Sequence, residues 1–192
     1  MYAPIELARF ALSEFERGLE GLTDEEARTR LTKADGTQMN AISWIVGHVA
    51  QHWFSVRSLA TLERRPRGLR PFVSGPTADP TPPPLSDALK LLQEAKVSIE
   101  WIGRSADALL ATAREEVVSA SLSPALGDLG IPKESVGTAL MRAVLHTWFH
   151  AGEINAIRQT LGHPEIFFVG RLIGNLEWRP RAGVAAEDQS PR

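Results

Sequence analysis

Cysteine is absent from the 192 residues, which excludes a disulfide framework, a Cys-type zinc site, an iron–sulfur cluster and a cysteine nucleophile built from this chain. Any thiol chemistry has to import its thiol. A basic surplus is missing too: 21 Lys+Arg stand against 23 Asp+Glu, a formal net charge of −2, without the footprint that phosphate-backbone binding needs. No nucleic-acid partner is expected. No stretch approaches the roughly 18 uninterrupted apolar residues that span a bilayer. The opening Met1-Tyr-Ala-Pro-Ile-Glu-Leu-Ala-Arg lacks the basic start and apolar run of a secretory leader. The expectation is a cytoplasmic protein with no membrane partner. Strand-like alternation and internal repeats are also lacking, as are a Gly-rich phosphate loop, a Gly-x-Ser-x-Gly elbow and a His-Glu-x-x-His motif. Nucleotide, serine-hydrolase and zincin readings fall with them.

What is present is ordinary globular material, 43% hydrophobic and 23% charged, in about one domain's length. Ile5, Ala8, Leu12, Phe15 and Leu19 recur at helical spacing, with Pro4 in the first turn. Thr23-Asp24-Glu25-Glu26 matches a capping box and predicts a short helix to about Leu31, followed by a turn at Asp35-Gly36. From Asn40 as N-cap, Ile42, Ile45, Val49, His52, Val56 and Leu59 mark a second long helix that stops at Pro66. Seven of the 13 prolines lie between Pro66 and Pro84, and proline removes a backbone donor and fixes φ, so an irregular crossover is expected there. A third long helix follows from Ser86 with Leu89, Leu92, Ile99, Ile102, Ala106 and Leu109 on one face. After a loop over Ser119 to Pro132, a fourth carries Leu140, Val144, Ala151, Ile154 and Leu161 and stops at Gly162 and Pro164. The pattern predicts an all-α four-helix bundle with a long crossover between the second and third helices, spanning residues 1–178, and a polar tail over 179–192. Phe10, Val97 and Trp101 lie off the main stripes and predict a homodimer through helix faces.

The histidines concentrate the chemistry. Of the five, His48 and His52 form one i, i+4 pair, and His146 and His150 form another. That spacing puts two side chains on one helix face, whereas chance placement gives roughly 0.13 such pairs in a chain of this composition. Val144, Leu145, Trp148, Phe149 and Ala151 surround the second pair, which makes that level of the helix nearly apolar all round. Imidazoles buried there need partners. Two imidazoles from the fourth helix and one from the second make a metal site with open positions, as in catalytic zinc sites; the bland alternative is core histidines bonded to backbone or carboxylate. Spacing does not choose between His48 and His52. Glu153, three residues after His150, either orients an imidazole, binds the ion or forms a surface ion pair. Arg142, one turn before His146, can hold a substrate carboxylate or cap a bundle edge. Trp44, Trp53 and Trp148 are pocket walls or core, and His163 reads as a surface histidine at a helix C-terminus.

Two stretches carry a family resemblance. Asn40-Ala-Ile-Ser-Trp-Ile-Val-Gly-His48-Val-Ala and His146-Thr-Trp-Phe-His150-Ala-Gly-Glu-Ile-Asn-Ala-Ile-Arg-Gln-Thr-Leu-Gly162, led by Leu22-Thr-Asp-Glu-Glu, resemble the signature stretches of the DinB-like superfamily over about residues 4–165. The resemblance implies an up-down-down-up four-helix bundle, commonly a homodimer, with a divalent metal on His48, His146 and His150. It also implies group transfer or rearrangement with low-molecular-weight thiols such as mycothiol or bacillithiol. His52, one turn after His48, offers an alternative or fourth ligand. Imidazoles suit several divalent ions; zinc is the expected one and nickel the next. Neutral imidazoles coordinate, so binding is expected to weaken below about pH 6.5. The competing expectation is a non-enzymatic metal-binding stress-response or interaction module with a closed shell.

Overall fold

In a computed structural model the described residues are 3–61, 68–73, 81–112 and 136–170, and they form five α-helices and no strand. These are α1 (Ala3–Arg17), α2 (Asp24–Arg28), α3 (Ile42–Thr61), α4 (Leu85–Thr112) and α5 (Val136–Thr160), with one 3₁₀ turn over Arg70–Phe72. The predicted loop over 119–132 and the tail over 179–192 lie outside the described residues.

The apolar stripes decide the packing. Ile5, Ala8, Leu12, Phe15 and Leu19 are all buried, and they seat α1 against α5 and α4. In α3 the positions Ile42, Ile45, Val49 and Val56 are buried, and α3 packs against both α4 and α5. Leu92, Ile99 and Ile102 from α4 and Leu140, Val144, Ala151 and Ile154 from α5 complete one core. Off-stripe Phe10 is not available to a partner copy. It is buried, with its ring 5.8 Å from that of Trp148.

The helix ends follow from local chemistry. Thr23 and Glu26 form the capping box: the Thr23 N–H donates to Glu26 Oε2 at 2.8 Å, and the Glu26 N–H donates to Thr23 Oγ1 at 3.2 Å. That helix stops at Arg28, short of the expected Leu31, because Thr29 turns extended and the chain enters an isolated bridge between Thr32 and Gln38. Asp24 Oδ1 accepts from the Leu85 N–H at 2.7 Å, so α2 caps the start of α4. Asn40 lies two residues before α3, which opens at Ile42. At the end of α5, Gly162 takes φ +93°, the His163 N–H reaches Arg158 O at 2.9 Å and the Gly162 N–H reaches Gln159 O at 3.0 Å. This pair of bonds is a Schellman stop. The proline-rich crossover is not wholly irregular, since it forms a 3₁₀ turn, and Phe72 in that turn and Leu69 just before it join the core.

Candidate metal centre

Helical spacing places His48 and His52 one turn apart on α3 and His146 and His150 one turn apart on α5, and the two helices pack together. Beside them the Trp53 Nε1–H donates to Thr147 Oγ1 at 3.1 Å, while the Thr147 hydroxyl donates back to Ala143 O at 2.8 Å. This buried bond fixes the register of α3 against α5. The result is a cluster of four imidazoles. Ring centroids lie 3.9 Å apart for His52 and His146, 4.4 Å for His146 and His150, and 5.1 Å for His48 with both His146 and His150. His48, His52 and His146 form a set that could hold a metal ion, each offering one ligand atom with these atoms all within 4.8 Å of one another. The Nε2 of His150 enters the same cluster, 3.1 Å from Nε2 of His146.

Protons on the outer nitrogens determine what faces inward. His48 Nδ1 lies 2.6 Å from Phe72 O, and a carbonyl can only accept, so this nitrogen carries the proton and donates it. His150 Nδ1 lies 2.7 Å from Glu153 Oε2, and donates to the carboxylate by the same argument. In the neutral form each ring then presents a bare Nε2 lone pair. These two lone pairs are aimed at Nε2 of His146, at 3.0 and 3.1 Å. A neutral His146 has at most one proton at that atom, and a single proton cannot make good bonds to both neighbours. With all three rings neutral, at least one pair of lone pairs faces another without a proton between them. Nitrogens bonded to one zinc ion at about 2.0–2.1 Å stand about 3.3 Å apart at tetrahedral angles. The donor set fits a divalent metal.

Burial favours the neutral ring in His48, His52 and His146. His146 is pushed down to about 4, first by burial and then by His150, His48 and Arg142. His52 is pushed down to about 2, again by burial first and then by its neighbours, His146 foremost. His48 is also lowered by burial, against the opposing effect of its bond to Phe72. Desolvation penalises the imidazolium, so protons compete poorly for these nitrogens in the folded chain.

Of the two α3 histidines, His48 is the buried one and His52 is half-buried. Trp44 stacks on His48 with centroids 4.7 Å apart and planes 13° apart, whereas Trp53 is core. Arg142 is exposed and close enough to His52 and His146 to lower their pKa. His163 Nε2 pairs with Glu26 Oε1 at 3.0 Å, away from the cluster, and ties the end of α5 to α2. The apolar residues around the second pair are not all enclosed. Leu145 is 65% and Phe149 66% exposed, and with Met141 they run at i, i+4, i+8 down the outer face of α5.

Phe72 was invisible to side-chain pattern reading because its contribution is a backbone carbonyl in a proline-rich segment. One signal does point to it: Gly47 inside α3, where a glycine costs roughly 0.5–1 kcal/mol against alanine. A Cβ at Gly47 would overlap the Phe72 ring, so the missing side chain is what lets the turn dock. Compared with known proteins, the chain has no match among family models, curated proteins or solved structures.

Proposed function

We propose that the chain is a DinB-like four-helix bundle that binds one divalent metal through His48, His146 and His150 and acts, in the cytoplasm and as a homodimer, as a metal-dependent transferase with a low-molecular-weight thiol. The observation that carries the metal reading is the convergence of Nε2 of His48 and of His150 on Nε2 of His146, at 3.0 and 3.1 Å. Zinc is the expected ion and nickel the next. When bound, the ion supplies Lewis acidity, which lowers the pKa of a thiol held beside it.

The residues around it define what the chain itself contributes. Phe72 O and Glu153 hold the Nδ1 protons of His48 and His150, and so fix the tautomers. Trp44 fixes the plane of His48. Phe149 lies beside both α5 histidines, 5.0 Å from His150 and 6.3 Å from His146 between centroids, and supplies an exposed apolar rim. Arg142 is the proposed contact for a substrate carboxylate. With no cysteine in the chain, the nucleophile is the imported thiol. The test is to load the protein with zinc or nickel, supply several cellular thiols with a generic electrophile, and compare turnover with metal-free protein. No metal-dependent turnover with any thiol rejects the transferase reading.

A second reading is favoured by His52, whose ligand atom lies within 4.8 Å of those of His48 and His146. With His52 in a fourth position the shell is closed, and the protein is a non-enzymatic metal-binding stress-response or interaction module. An exchangeable water on the bound metal rejects it.

A further inference from the structure

We infer that the Arg70–Phe72 turn of the crossover is a positioning element of the metal centre, with Phe72 holding His48 in the tautomer that presents Nε2 inward and Gly47 giving Phe72 the room to do so. This rests on the metal reading above and deepens it: metal affinity is set in part from outside the helices that carry the ligands.

The argument begins on α3. Trp44 and His48 are one turn apart, and each donates a ring N–H to the crossover: Trp44 Nε1 to Pro71 O at 2.8 Å and His48 Nδ1 to Phe72 O at 2.6 Å. Two consecutive carbonyls are thus held by two side chains of one helix face. The turn is closed internally by the Phe72 N–H to Leu69 O bond at 3.0 Å, and Leu69 and Phe72 are both buried. Between Trp44 and His48 in sequence lies Gly47, and three atoms of the Phe72 ring occupy the place where its Cβ would stand. The ring rests directly on the backbone of α3 at the residue before His48. An ordinary side chain there pushes the ring outward and takes the Phe72 carbonyl out of reach of Nδ1. Freed from that acceptor, His48 can carry its proton on Nε2, the atom that a metal needs bare. Phe72 and Gly47 supply no ligand atom to the histidine cluster. They act through His48.

The experiment is a zinc titration of metal-free protein, run beside far-UV circular dichroism and ¹⁵N detection of the His48 ring nitrogens. Wild type is expected to bind one zinc; failure to bind any overturns the metal reading and this inference together. Gly47→Ala is expected to keep its helical signal, lose the His48 Nδ1–H resonance and bind zinc about 10–100-fold more weakly, the usual effect of removing an orienting partner. Adding Phe72→Ala to Gly47→Ala makes room for the new methyl and is expected to recover part of that loss. A folded Gly47→Ala protein with wild-type zinc affinity overturns the positioning role while leaving the metal reading intact. Should Gly47→Ala fail to fold, Phe72→Ala alone decides. It is expected to weaken zinc binding several-fold and speed exchange of the His48 Nδ1–H; unchanged affinity and exchange overturn the inference.

Discussion

Between α1 and α4, polar side chains meet as acids with bases. Arg9 Nε donates to Glu100 Oε1 at 2.7 Å, and Lys96 Nζ lies 2.9 Å from both oxygens of Glu16. Between α3 and α5, four imidazoles meet one another, and the carboxylate of Glu153 is engaged on the outer side of His150. The first seam sits at the rim, where the Arg9 and Glu100 side chains keep 35% and 45% of their exposure. Each charge is answered within the chain. In the second, burial favours the uncharged imidazole at His48, His52 and His146. Such a cluster could hold a metal ion as its electron-pair acceptor.

The sharpest way to break this contrast is to remove the atom on which the cluster converges. His146→Ala is expected to abolish stoichiometric zinc binding, a loss larger than the about 100-fold upper range for outer partners, as read by metal analysis after dialysis. His52→Ala separates the two ligand sets. Retention of zinc by that variant favours His48, His146 and His150, and its loss favours the set containing His52.

Glu153→Gln comes next. It keeps the shape but weakens the acceptor that holds the His150 proton, and is expected to lower zinc affinity about 10-fold or more, measured by competition with a chelator. An unchanged affinity would make Glu153 a surface partner only.

The third test concerns acid. In the fold His146 is pushed down to about 4 and His52 to about 2, whereas in the unfolded chain each titrates near about 6.5. Below about 6.5 the unfolded state binds more protons, so the metal-free protein loses stability as pH falls toward 4, with no such dependence above about 7. Denaturant midpoints at about pH 7.5 and about pH 5 check this. Zinc affinity should hold further into acid than an exposed imidazole's ordinary pKa implies.

The smallest effect belongs to the first seam. Arg9→Ala removes an exposed pair and is expected to cost at most about 1 kcal/mol of stability, with zinc binding unchanged. A loss of zinc would show that the two seams are coupled.

How much of this could be read beforehand follows from which atoms matter. The stripe of α1 and both histidine pairs were legible because side chains at period 3.6 mark a face. The exposure of Leu145 and Phe149 was not, because apolar residues on every side of a short stretch carry no direction. The short α2 was overextended because the chain leaves the helix for a bridge partner at Gln38, a pairing that local sequence does not encode. Phe72 stayed hidden because its functional atom is a carbonyl, common to every residue. Only the glycine opposite betrays it.

Arg158, buried on α5, carries a consequence for how the chain is made. Its Nη1 donates to Gly18 O at 2.8 Å and to Glu20 O at 2.9 Å, closing off carbonyls just past the end of α1 across 140 and 138 residues of sequence. During synthesis at about 5–20 residues per second, α1 emerges with those carbonyls in water and waits on the order of 10–30 s for the guanidinium that covers them. α1 is therefore completed long after it is made, and a nascent chain stalled before Arg158 exposes an α1 whose apolar stripe lacks much of its cover.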